Sequence, residues 1–181
     1  MRLNTNLQNE DDLMNLSINQ ELPDATLSQM TDDGPVEVNL SDLTKNKRVI
    51  LIGMPGAFTQ TCTNDHLPSL IRTADALFKN GIDEIICIVV NDVHVAKAWG
   101  EATGATKGGI KILTDAKSKF AKSTELNFSV PLVGFFNRLQ RVAMVLENNV
   151  IRHIQLEEKR SSCEMTSGET LLSLTKKIFS A

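Results

Sequence analysis

The chain has 181 residues, 41% of them hydrophobic and 23% charged, with a formal net charge of -3. That length and composition fit one globular domain that can bury its own core without disulfide staples. The slight negative charge and the 4% aromatic content, with one Trp and no Tyr, speak against nucleic acid or an anionic membrane as partner.

Residues 1–20 are polar and rich in Asn and Gln, and are expected to form a loosely held extension ahead of one domain over 21–181. They carry Glu10, Asp11 and Asp12 and no continuous apolar stretch, which argues against a secretory leader. No apolar run reaches the roughly 18 residues that a bilayer span needs. Three cysteines are too few for a disulfide-framed secreted scaffold, so a reducing, cytoplasmic setting is expected.

Leu22 to Met30 and Pro35 to Leu40 flank a Thr-Asp-Asp-Gly turn and predict a β-hairpin. Ser41 is a candidate cap for a short helical turn. Val49 to Ile52 and Ile85 to Val90 are continuous apolar runs of strand length, as central parallel strands require. Between them Leu67, Leu70, Ile71, Ala74, Leu77 and Phe78 recur at helical spacing, with Gly81 at the stop. This is a βαβ unit. A second helix is predicted over 93–102, a strand over 110–113 and a helical piece over 117–123. Val142 to Leu146 and Val150 to Ile154 flank Glu147-Asn148-Asn149 and predict an antiparallel hairpin. Residues 168–179 close the chain as an amphipathic helix. The order implies an α/β fold, a mixed central sheet with helices on both faces and an N-terminal β-hairpin.

The stretch that carries chemistry is Gly53-Met54-Pro55-Gly56-Ala57-Phe58-Thr59-Gln60-Thr61-Cys62-Thr63, which joins the first buried strand to the long helix. Cys62 falls in or near the first helical turn, where free backbone N–H groups and the helix dipole favour a thiolate. Thr59 and Thr61 add hydroxyls, and His66 lies one turn further on. A cysteine in a first helical turn is also a common packing residue, so position alone leaves both readings open. There is no Cys-x-x-Cys pair, and the three His and three Cys lack zinc-ligand spacing. His66, His94 and His153 read by themselves as surface or packing residues. Asn91-Asp92 follows a strand, but no glycine-rich phosphate loop accompanies it.

The pattern Pro55-x-x-x-Thr59-x-x-Cys62 resembles the peroxiredoxin signature. With His66-Leu67-Pro68, Val89-Val90-Asn91-Asp92, Ala98-Trp99 and Arg141-Val142-Ala143-Met144, the chain from about residue 20 onward is similar to the atypical peroxiredoxins of the fifth class, or type II. The resemblance implies a thioredoxin-like fold and a thiol-dependent peroxidase acting on hydrogen peroxide and organic hydroperoxides. It implies that Cys62 is the peroxidatic cysteine, that Thr59 hydrogen-bonds the thiolate and the peroxide, that Pro55 walls the pocket, and that Arg141 donates to both. Arg138 is the weaker occupant of that last role. Gln60 stands where the class usually has proline.

The resemblance further implies no bound cofactor, an external thiol reductant (glutathione with glutaredoxin, or thioredoxin) and a homodimer. It leaves the resolving thiol open. Cys87 matches plant-like members in spacing but sits inside an apolar strand. Cys163, in a polar stretch, lies near the resolving position of animal members, and a one-cysteine mechanism is the third option. Two rival readings use the same residue: a cysteine hydrolase pairing Cys62 with His66 or His94, and a non-catalytic redox sensor.

Overall fold

The computed structural model describes residues 15–180. In chain order the elements are β1 (Thr26–Thr31), β2 (Gly34–Asn39), α1 (Leu40–Thr44), β3 (Arg48–Gly53), α2 (Leu67–Lys79), β4 (Glu84–Val89), α3 (Val93–Thr103), β5 (Ile110–Thr114), α4 (Lys119–Ser123), β6 (Asn127–Val130), β7 (Phe135–Leu139), β8 (Val142–Glu147), β9 (Val150–Leu156) and α5 (Gly168–Phe179). Seven strands form one mixed sheet in the order β2-β1-β5-β4-β3-β8-β9. The strands β3, β4 and β5 run parallel, and β8 pairs antiparallel to β3.

The apolar runs of β3 and β4 lie at the centre because they are buried on both faces. Ile50, Ile52, Ile85, Cys87 and Val89 pack on one side with Leu67, Leu70 and Leu77 of α2, Trp99 of α3 and Leu171 of α5. Val49, Leu51, Ile86 and Ile88 pack on the other with Leu40 of α1, Phe120 of α4 and Leu126. Burying each such side chain stabilises the fold by about 1.5–3 kcal/mol before the cost of ordering it. α5 lies tightly on α2. A Cβ on Gly168 would sit 2.2 Å from Thr73 Oγ1 and 2.3 Å from the Ser69 carbonyl, so only glycine permits the approach. The Gly168 N–H donates to Ser69 Oγ at 3.0 Å.

Several local expectations change. Residues 16–22 are not loose. Leu16 and Leu22 join the second core face, and Asn19 N–H and Leu22 N–H donate to the carbonyls of Ile151 and Asn149. Paired backbone along the outer edge of β9 holds them, and the part of the extension at 1–14 lies outside the described residues. The first strand starts at Thr26, because Leu22 is committed to that edge. Ser41 lies inside α1, which starts at Leu40 without a side-chain cap. The fourth helix begins at Lys119, not at 117. Asp115 caps it through its carboxylate, accepting from Lys119 N–H and Ala121 N–H at 2.9 Å each. The β8–β9 turn is as expected, with Asn148 and Asn149 both at positive φ. The β6–β7 hairpin has no counterpart in the sequence reading. Pro131 and Gly134 break its apolar pattern, and Leu132 at the tip is 95% exposed.

Candidate active site

Cys62 opens a π-helical turn, Cys62–His66, that leads into α2. The Leu67 N–H reaches back to the Cys62 carbonyl, one residue further than in an α-helix. Such widened turns recur at functional sites. The turn buries both Cys62 and His66 completely.

Arg141, between β7 and β8, reaches the sulfur. Its NH2 donates to Cys62 Sγ at 3.3 Å and to the Arg160 carbonyl at 3.1 Å. Its NH1 lies 2.9 Å from His66 Nδ1. Arginine has no acceptor, so Nδ1 accepts and the ring proton sits on Nε2. Nε2–H then donates to the Thr166 carbonyl at 2.9 Å. Burial, then the neighbouring Arg141 charge, lowers the His66 pKa from its ordinary 6.5 to about 3, so the ring is neutral. Arg141 Nε is buried and has no partner among the described residues, which leaves donor capacity beside the sulfur.

The loop before the turn is held just as closely. Asn91 Oδ1, at the end of β4, accepts from Ala57 N–H at 2.9 Å and from Arg138 NH1 at 3.1 Å. The same Arg138 nitrogen donates to the Pro55 carbonyl at 3.3 Å, and the guanidinium stacks 4.9 Å from the Phe135 ring centroid. Gly56 makes room for it, since a Cβ there would sit 2.5 Å from Arg138 NH1. Phe58 takes a left-handed conformation, φ 59°, between Ala57, held by Asn91, and Thr59, held by the Gly56 carbonyl. The Thr59 hydroxyl donates to the Gly56 carbonyl at 2.8 Å rather than to the sulfur. Its hydrogen is therefore committed, and its lone pairs are free to accept.

Pro55, Thr59, Gln60, Thr61 and Arg141 line a cleft of about 580 Å3, closed on the far side by Phe128, Val130, Val133 and Phe135 of the β6–β7 hairpin. Among the described residues no group of three or more His, Cys, Asp or Glu could hold a metal ion.

The redoxin family model matches residues 17–172. Peroxiredoxin-2E-2, chloroplastic, of Oryza sativa subsp. japonica is 32% identical over 88% of this chain and 72% of its own length. Peroxiredoxin Pen c 3 of Penicillium citrinum is 32% identical over 80% of this chain and 84% of its own. The crystal structure of reduced Prx3 from Vibrio vulnificus in complex with H2O2 is 39% identical, with a TM-score of 0.82 over 88% of this chain and 99% of that one.

The chain belongs to the redoxin family and is a peroxiredoxin.

As a peroxiredoxin it is a thiol-dependent peroxidase with a thioredoxin-like α/β fold. All three of its cysteines are free thiols. Cys87 faces the same core layer as Cys62 but is sealed there. Burial, then the Cys62 charge, pushes its thiol far up against the smaller pull of Arg141. Cys163 is partly exposed in the loop between β9 and α5. Burial raises its thiol and Arg141 opposes this. That loop is docked on the peroxiredoxin site at three carbonyls: Arg160 to Arg141, Ser161 to Thr61 and Thr166 to His66.

The structure brings Pro55, Thr59, Cys62 and Arg141 together and corrects the reading of two others. His66 is a buried packing residue, not a surface one, and it also bonds Arg141 beside the sulfur. Arg138 is neither the thiol's donor nor a free surface charge; it clamps the Pro55 loop. Asn91 has no expected role in the sequence reading, and only its place after a central strand, facing the loop, could have pointed to it. His94 is exposed on α3, and both ring nitrogens of His66 are engaged, so neither imidazole is placed to take a proton from Cys62. The hydrolase reading lacks its base.

Proposed function

We propose that this peroxiredoxin reduces hydrogen peroxide and organic hydroperoxides by attack of the Cys62 thiolate on one peroxide oxygen. The sulfur–oxygen bond forms as the oxygen–oxygen bond breaks. Cys62 is oxidised by two electrons to a sulfenic acid, and the other oxygen leaves as alkoxide or hydroxide and takes a proton to become alcohol or water. The observation that carries this reading is the donation from Arg141 NH2 to Cys62 Sγ at 3.3 Å. A fixed cation there favours the charged nucleophile, and its unused hydrogens can meet the oxygen on which charge develops. Thr59, with its lone pairs free, accepts the peroxide O–H and lines the oxygens up with the sulfur. Pro55 limits water at the sulfur.

A thiol then attacks the sulfenic acid, releasing water and forming a disulfide. Cys163 is the better-placed internal thiol, because its loop rests on Arg141 and is partly exposed, whereas Cys87 is locked in the core. Glutathione with glutaredoxin, or thioredoxin, completes the cycle. We place the protein in the cytoplasm, a reading supported by its three free thiols. No helix among the described residues is long and apolar enough to cross a membrane. The exposed Phe58, Leu132, Val133 and Phe136 support a homodimer formed over this face, which sedimentation of wild type and Leu132→Glu would test.

The functional test is peroxide consumption with intact mass for wild type and for Cys62→Ser, Cys87→Ser and Cys163→Ser. Activity is expected to vanish in Cys62→Ser alone. An oxidised-state disulfide lost in Cys163→Ser and kept in Cys87→Ser identifies the resolver. Full activity in Cys62→Ser would sink the mechanism.

A further inference from the structure

The cleft lined by Pro55, Thr59 and Arg141, the residues grouped around Cys62, is much larger than hydrogen peroxide requires. Its volume of about 580 Å3 lies in the range of sites for drug-sized ligands. One wall is apolar, made by Phe128, Val130, Val133 and Phe135, and among the described residues no carboxylate lines it. Two guanidinium groups do, those of Arg141 and Arg160, in a protein whose net charge is -3. Arg141 is committed to the sulfur, His66 and the Arg160 carbonyl. The Arg160 side chain has no such commitment. It stacks over Phe128 with its guanidinium carbon 5.0 Å from the ring centroid, and it makes no ion pair among the described residues. Its carbonyl accepts from the same Arg141 NH2 that donates to Cys62 Sγ, which ties the backbone of this residue to the reacting site.

We propose that Arg160 is a specificity-determining residue that selects hydroperoxides carrying a carboxylate on an apolar chain, such as those of free fatty acids. The apolar wall takes the chain, the Arg160 guanidinium pairs with the carboxylate, and the hydroperoxide end meets Cys62, Thr59 and Arg141. The chemistry is unchanged: the alkyl hydroperoxide on the chain is reduced to the alcohol and Cys62 becomes the sulfenic acid. Arginine suits the role because its fork binds a carboxylate through two parallel hydrogen bonds. This assignment rests on the peroxidase reading above and adds the substrate class.

The test compares the hydroperoxide of linoleic acid with that of its methyl ester, both below the concentration at which they form micelles. The readout is the second-order rate of Cys62 oxidation in single turnover, which needs no external reductant. In wild type the free acid is expected to react roughly two- to fivefold faster than the ester, the range for a partly exposed ion pair. The preference should shrink as salt is raised. Arg160→Gln should bring the ratio to about one, and Arg160→Lys should keep part of it. Because the ratio is taken within each variant, a general loss of reactivity on changing residue 160 does not imitate the result. Equal rates for acid and ester in wild type, or a preference that survives Arg160→Gln, would overturn the assignment. A failure of the peroxidase reading looks different: hydrogen peroxide would then leave Cys62 unoxidised in wild type.

Discussion

His66 makes the stability of this protein depend on pH in a way that one substitution can isolate. Its folded-state pKa is about 3 against an ordinary 6.5. The unfolded chain therefore binds a proton on this ring at a higher pH than the folded chain does. The contribution is fully present above the unfolded value and is lost as pH falls through that window toward the folded one. Integrating from about pH 7 to about pH 4.5 gives a loss of about 2.5 kcal/mol from this single ring. The physical origin is the burial of the ring together with the Arg141 contact: a protonated Nδ1 could no longer accept, and two cations would face each other. His66→Gln keeps a donor for the Thr166 carbonyl and an acceptor for Arg141 but does not titrate. Reversible urea unfolding of both proteins at the two pH values and at one protein concentration gives the comparison. Carboxylate titrations common to both cancel, so wild type should lose about 2.5 kcal/mol more than the variant. Parallel pH profiles for the two proteins would refute the reasoning, whatever the absolute stability of the variant.

Arg141→Gln should slow oxidation of Cys62 by roughly a hundred- to a thousandfold, the usual effect of losing one donor to a developing oxyanion. Stopped-flow fluorescence can follow it, because the single Trp, Trp99, donates from Nε1 to Thr63 Oγ1 at 3.0 Å, next to the reacting residue. Gly56→Ala places a Cβ 2.5 Å from Arg138 NH1 and 3.2 Å from Asn91 Oδ1. It should cost about 1–3 kcal/mol in urea unfolding through overpacking and the loss of the clamp. Gln60 opens the helix that contains the π turn, a position where proline is well tolerated. Gln60→Pro should raise stability by about 0.4–1 kcal/mol, seen as a higher Tm, by restricting the unfolded chain.

Much of this fold is legible in the order of its residues. The continuous apolar runs at 49–52 and 85–90 are central strands because burial on both faces leaves no polar positions. The helix at 67–79 shows itself through its 3.6-residue period. What escaped the sequence was set by contacts that local pattern does not encode. The β6–β7 hairpin has strands of four and five residues broken by Pro131 and Gly134, so it presents no alternation long enough to read. Residues 16–22 look polar and loose, yet their backbone pairs along β9 and only Leu16 and Leu22 enter the core. In the site, Cys62, Thr59 and Pro55 share one short segment and are legible together. Arg141 was legible only through the resemblance. His66, Asn91 and Arg138 act through partners that lie 34 to 100 residues away in sequence, and no local spacing points to them.

The division of labour around the π turn has a mechanical consequence. Pro55 and Ala57 are tied to the sheet and the hairpin through Asn91 and Arg138, whereas Cys62 begins a turn whose hydrogen bonds are already spaced too widely for an α-helix. The loop and the turn are thus held by different partners, Asn91 and Arg138 for the one and Arg141 and the Thr166 carbonyl for the other, and they meet at Thr61. If, as proposed above, the oxidised sulfur must leave its pocket to meet a second thiol, unwinding of the turn about that junction would leave the Pro55 wall in place. On the proposed cycle the nucleophile would move while its receptor stays in place, so each turnover would reload a binding site that need not be rebuilt.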